Sequence, residues 1–92
     1  MTEEHLASLL SSAKAKKDDE GWYVAGEGRH WTLHVASNGA SLNVGRVEAI
    51  RTEGPLLHAR TVKGELYVLA LEDVFAGATE AAASAGRKAG FV

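Results

Sequence analysis

The four histidines are the residues best suited to proton transfer or metal binding, and His30 and His34 lie closest together in the chain. The run around them alternates apolar and polar residues, which predicts an extended strand. Four residues at about 3.3 Å each then separate the two rings by about 13 Å. Ligands of one zinc sit about 2 Å from the metal, so they must lie within about 4 Å of each other. A shared ion would need His34 with Asn43, or His58 from a distant segment, and no metal or cofactor is expected.

Other catalytic chemistries find equally little. A serine nucleophile needs a constrained turn, a histidine within reach and an orienting acid. No Gly-x-Ser-x-Gly elbow is present, and the serines fall in the first predicted helix or beside turns. Asp18-Asp19-Glu20 and Glu72-Asp73 are neighbours in sequence at predicted element ends, whereas paired-carboxylate catalysis sets two acids across a cleft. Gly26-Glu27-Gly28 is followed by no Lys-Ser/Thr and no helix, so it is not a phosphate loop. Cysteine is absent, which removes thiolate nucleophiles, disulfides and cysteine-based zinc sites. A small hydrolase or metal-dependent enzyme is the least favoured reading, and the expectation is no enzyme.

Aromatic and basic side chains offer a different chemistry. Trp22, Tyr23, Trp31 and Tyr67 could stack bases, with Arg29, Arg46, Arg51 and Arg60 on phosphates, as in a nucleic-acid-binding small β-barrel. Trp22 and Trp31 share phase with Val24 and with Leu33 and Val35, however, which predicts core positions. The formal charge of −2, from ten basic and twelve acidic residues, also lacks the basic footprint of such proteins. Nucleic acid is possible but not favoured as a partner.

The elements that position these residues begin with a helix over residues 2–17. Thr2 can cap it, Glu3 and Glu4 suit its first turn, and Lys14, Lys16 and Lys17 its last. Leu6, Leu9, Leu10 and Ala13 form its apolar stripe. Asp18-Asp19-Glu20-Gly21 ends the pattern, and Trp22–Ala25 reads as a strand.

Residues 22–71 are predicted as antiparallel strands. Asn38-Gly39 is the strongest short hairpin signal, pairing Val35 with Leu42, Leu33 with Val44, His34 with Asn43 and Thr32 with Gly45. After Gly45 the alternation changes phase, which predicts a bulged, bent strand; the three-residue spacing of Val44, Val47 and Ile50 would instead suit a short helix at 46–53. Lys63-Gly64 predicts a second, two-residue hairpin. That register places Leu57, Ala59, Thr61, Leu66, Val68 and Ala70 on one face, and Leu56, His58, Arg60, Tyr67, Leu69 and Leu71 on the other. Residues 72–88 are predicted as a helical segment, with Thr79 capping an alanine-rich run. Together these give one α+β domain over residues 1–92: an N-terminal helix, about five antiparallel strands in a bent sheet or small SH3-like barrel, and a short C-terminal helical segment.

Composition sets the functional expectation. Hydrophobic residues make up 46% of the chain, but sixteen of them are alanine. Few large side chains remain to offset a backbone ordering cost of about 1–2 kcal/mol per residue, so a second copy or partner is expected to stabilise the domain. No run approaches the roughly 18 apolar residues of a membrane span, and the acidic start, MTEEHLASLL, is unlike a signal peptide. Cytoplasmic location follows as the default. The reading is a non-catalytic protein-interaction module, self-associating or part of a larger assembly. Its partner-binding residues are expected to be Leu56, Leu69, Leu71, Val74, Phe75 and Phe91.

Overall fold

The computed structural model describes residues 1–81. Helix α1, Glu3–Ser12, is followed by strands β1 (Lys16–Lys17), β2 (Tyr23–Val24), β3 (Arg29–Ser37), β4 (Ala40–Glu53), β5 (Leu56–Thr61) and β6 (Leu66–Ala70). A single 3₁₀ turn, Leu71–Asp73, then leads into β7, Val74–Ala81. The result is an N-terminal helix packed on a curled antiparallel sheet.

As the sequence predicts, Thr2 caps α1, its hydroxyl accepting from the His5 N–H at 3.1 Å. The helix ends five residues before the predicted boundary. Lys14 adopts φ +53°, and its N–H donates to the Ser11 carbonyl at 2.9 Å while the Ala15 N–H donates to Leu10 at 3.1 Å. This is the closing pattern that favours glycine at the left-handed position. Lys16 and Lys17 therefore belong to β1, paired with Val24 and Tyr23. Lys14→Gly is expected to stabilise the fold by about 0.5–1 kcal/mol, which a thermal melt would record as a rise of a few degrees. An unchanged or lower melting point would count against the strain.

Strand β4 organises the sheet. Its first half pairs with β3 and its second half with β5, while β2 pairs with Ile50 and Ala49 on the edge that β3 leaves. The Asn38-Gly39 turn sets the predicted register, with Val35 opposite Leu42, Leu33 opposite Val44 and His34 opposite Asn43. Thr32 departs from it because the register shifts between Trp31 and Leu33. Residues Gly45 and Arg46 face it as a bulge, and Arg46, not Gly45, takes the left-handed conformation at φ +54°. A second shift, against β5, adds Glu48 as an extra residue. Val44, Val47 and Ile50 all reach the core. Their three-residue spacing thus comes from two successive bulges in a bent strand and not from a helix.

The second hairpin departs from the predicted pairing by one residue. Thr61 N–H donates to the Glu65 carbonyl at 2.9 Å and Gly64 N–H to the Thr61 carbonyl at 2.9 Å, so Val62-Lys63-Gly64 is a three-residue loop. Gly64 has φ +86°, the left-handed position that ends such a loop and that a side chain would strain. Leu57 consequently pairs with Leu69 and Ala59 with Tyr67, while Leu56, His58 and Arg60 pair with Ala70, Val68 and Leu66. A one-residue slip exchanges the faces of a strand, so Leu66 and Val68 stand on the outer face and Tyr67 and Leu69 on the inner.

The inner face holds the core. Leu6, Leu9 and Ala13 of α1 pack onto Trp31, Leu33, Val35, Val44, Val47, Ile50, Leu57, Ala59 and Val74. The Trp31 indole N–H donates to the Leu9 carbonyl at 2.9 Å and fastens the helix to the sheet. Residues 74–81 form a strand along β3, from Val35 opposite Val74 to Arg29 opposite Ala81. This corrects the expected helical segment over that span. Alanine's helix propensity is worth well under 1 kcal/mol per residue, and pairing with an otherwise open β3 edge outweighs it. Residues 82–88 of the predicted helix lie outside the described residues.

Candidate interaction surface

Two exposed apolar regions stand out on the sheet. On the outer face of the β5–β6 hairpin, Leu66 and Val68 are 56% and 54% exposed, with Leu56 beside them at 38%. The second is Phe75, 66% exposed, which is the extra residue of a bulge between β3 and β7. Its ring lies 6.1 Å from the His34 ring. That histidine is held in turn by Nδ1 against the Asn43 side-chain oxygen at 2.9 Å.

Of the partner-binding residues read from the sequence, Leu56 and Phe75 are on the surface. Leu69 and Leu71 are half-buried against the core, Val74 is fully buried within it, and Phe91 lies outside the described residues. The structure does not gather these residues into one patch: Leu56 and Phe75 belong to separate strands of opposite halves of the sheet. Leu66 and Val68 face outward because the hairpin has a three-residue loop where a two-residue turn is predicted. Gly64 as the third residue of a longer loop was the signal that could have exposed them.

Between the two regions sits a polar cluster on the outer face. Trp22 stacks there, on the opposite side of the sheet from the core, with the guanidinium groups of Arg51 and Arg60 each 5.0 Å from its ring centre. The His58 ring meets it edge-on at 6.5 Å. Arg60 Nε donates to Glu48 at 3.2 Å, and His58 Nε2 lies 3.5 Å from a Glu53 carboxylate oxygen. Each cation–π contact of this kind contributes about 0.5–1 kcal/mol. The arginines and the imidazole close Trp22 to 8% exposure. Trp31 is fully buried, so neither indole offers an open face on which a base could stack.

Polar side chains elsewhere serve local structure. Ser12 donates to the Leu9 carbonyl at 2.6 Å and meets the Thr79 hydroxyl. Asp18 accepts from the Glu20 and Trp22 N–H groups at 2.9 Å, and the Thr61 hydroxyl accepts from the Glu65 N–H at 3.2 Å. Among the described residues no group of three or more histidine, aspartate or glutamate side chains is placed to hold a metal ion. No described helix is long and apolar enough to cross a membrane.

Fold and surface together define a small α+β domain with an open-edged, curled antiparallel sheet. Comparison with protein-family models, with curated proteins and with solved structures finds no match to the chain.

Proposed function

We propose that this chain is a non-catalytic protein-interaction module, built as a small SH3-like barrel, that docks a partner along β6 and the apolar surface beside it. The strand arrangement supports the barrel reading: β7-β3-β4 forms one half and β4-β5-β6 the other, joined through the bent β4, with the 3₁₀ turn before the last strand. The observation that carries the docking reading is β6 itself. Its residues, Leu-Tyr-Val-Leu-Ala, contain no charge, no proline and no bulge, and among the described residues only β5 pairs with it. A strand edge of this kind is ready to pair with another chain.

Val68→Lys tests this reading, because it puts a charge on the edge while altering a side chain that already faces solvent. Affinity capture from native lysate with wild type and variant, followed by identification of what co-purifies, is the measurement. A protein held by the wild type and released by the variant is expected. Identical profiles would remove the β6 surface as the docking site.

A further inference from the structure

We infer that the partner of β6 is a second copy of this chain, paired antiparallel about a two-fold axis at Val68. The inference rests on β6 being the docking edge and adds who occupies it and in what register.

The described sheet has four open edges, at β1, β6, β7 and the side of Ala40–Gly45 that β5 leaves unpaired, and three of them are guarded, the one on β4 by the bulge at Gly45 and Arg46. β1 is only two residues long and both are lysine. β7 is interrupted by its bulge at Phe75, and Glu80 stands near its far end. Charges, short length and bulges are the usual protections against edge pairing. β6 has none of them over its five residues, and its pairing with β5 runs without a shift from Arg60–Leu66 to Leu56–Ala70.

Hydrogen bonds fix which backbone groups face outward. Thr61 N–H donates to Glu65, and Leu71 N–H donates to Pro55 at 2.9 Å. Bonded pairs alternate along an antiparallel ladder, so Tyr67 and Leu69 turn their N–H and C=O groups towards β5. Leu66, Val68 and Ala70 turn theirs to the free edge. Two copies satisfy all of these groups when Val68 lies opposite Val68 and Leu66 opposite Ala70 of the second copy.

That register also matches side chains. On the outer face Val68 meets its symmetry mate, and Leu66 meets Ala70 of the second copy beside Leu56, covering the exposed apolar strip. On the inner face Tyr67 meets Leu69 of the second copy. Slipping the pairing by two residues loses outer hydrogen bonds. A five-residue edge spans only about 17 Å, and so small an interface gives a weak, concentration-dependent dimer.

Sedimentation and amide hydrogen exchange on the full chain, each at several concentrations, test the inference. Apparent mass should rise from 9.7 kDa towards twice that value. Over the same range the amides of Leu66, Val68 and Ala70 should slow by about tenfold or more, while Tyr67 and Leu69 are protected throughout. Val68→Lys sets two ammonium groups across the axis and should hold the mass at the monomer value with an unchanged circular dichroism spectrum.

A constant monomer mass with fast exchange at those three amides would overturn the inference. So would self-association that Val68→Lys leaves intact, or edge protection that does not vary with concentration, which would mean the chain's own residues 82–92 cover β6. If the protein is monomeric yet Val68→Lys still releases a co-purifying protein, the second copy is wrong and the docking edge stands. If Val68→Lys changes neither mass nor co-purification, both fall.

Discussion

Trp31→Ala is expected to bring the protein close to unfolding at room temperature. Trp31 is fully buried at the centre of the core, and its indole N–H is bonded to the Leu9 carbonyl. Truncating a buried tryptophan to alanine costs about 3–5 kcal/mol. A domain of this length has roughly 5–14 kcal/mol in total, so the substitution removes a large part of what holds it. Urea unfolding followed by circular dichroism would register the loss as a midpoint lower by one to several molar, at a slope of about 1–3 kcal/mol per molar. Trp31→Phe separates packing from hydrogen bonding. It keeps most of the ring, and the Leu9 carbonyl retains the Ser12 hydroxyl, so the cost should be about 1–2 kcal/mol. A midpoint for Trp31→Ala equal to that of wild type would show that α1 and the sheet are not coupled through this side chain.

Gly77→Val should have the next largest effect. Gly77 sits on β7 opposite Leu33, where α1 crosses the strand. A Cβ there would lie 2.6 Å and 3.1 Å from the two methyl carbons of Leu9 and 3.4 Å from its Cγ. Leu9 is part of the core cluster at 8% exposure, so its methyl groups must shift to make room. Overpacking of this kind costs about 1–3 kcal/mol, and the two methyl groups of valine place the change at the upper end. Gly77→Ala should cost less, because alanine also restricts the unfolded chain and returns about 0.4–1 kcal/mol. Leu9→Ala offers a double-mutant test. Alone it opens a cavity, but combined with Gly77→Val it should cost less than the two single changes added together. Strict additivity would mean that the two sites do not touch.

Local chemistry made much of this fold legible. Asn38-Gly39 combines a turn that tolerates positive φ, observed at +50° and +84°, with alternation on both sides, and together they leave one register. The phase change at Gly45 correctly pointed to a bend. What failed did so where one residue decides the outcome. Lys63-Gly64 fits a two-residue turn, yet the strained position falls on the last residue of a three-residue loop, and the slip reversed every side chain of β6. Helix α1 stops early because Lys14 accepts a conformation more typical of glycine. Strand β7 was hidden by alanine-rich sequence, since its conformation is set by an open β3 edge and by the space Gly77 leaves for Leu9. No local window carries either fact.

The candidate surface followed the same divide. Leu56 and Phe75 were legible as exposed apolar side chains near element ends. Leu69, Leu71 and Val74 belong with the core instead, because the three-residue loop turns Leu69 inward opposite Leu57, Leu71 follows it against the core, and β7 sets Val74 opposite Val35. The arginine-flanked position of Trp22 was equally out of reach, because Arg51 and Arg60 meet it from β4 and β5 across the sheet. Read as apolar phase alone, Trp22 belongs with the core; in three dimensions it is buried by charge.

The two tryptophans therefore give the protein a pair of natural fluorophores on opposite sides of one sheet. Trp31, sealed in the interior, should emit in the blue until the whole assembly melts. Trp22, roofed by two guanidinium groups, should shift to the red as soon as the outer β5–β6 hairpin lifts. Single-tryptophan versions, Trp22→Phe and Trp31→Phe, would turn that difference into a direct optical readout of whether the hairpin loosens before the interior does.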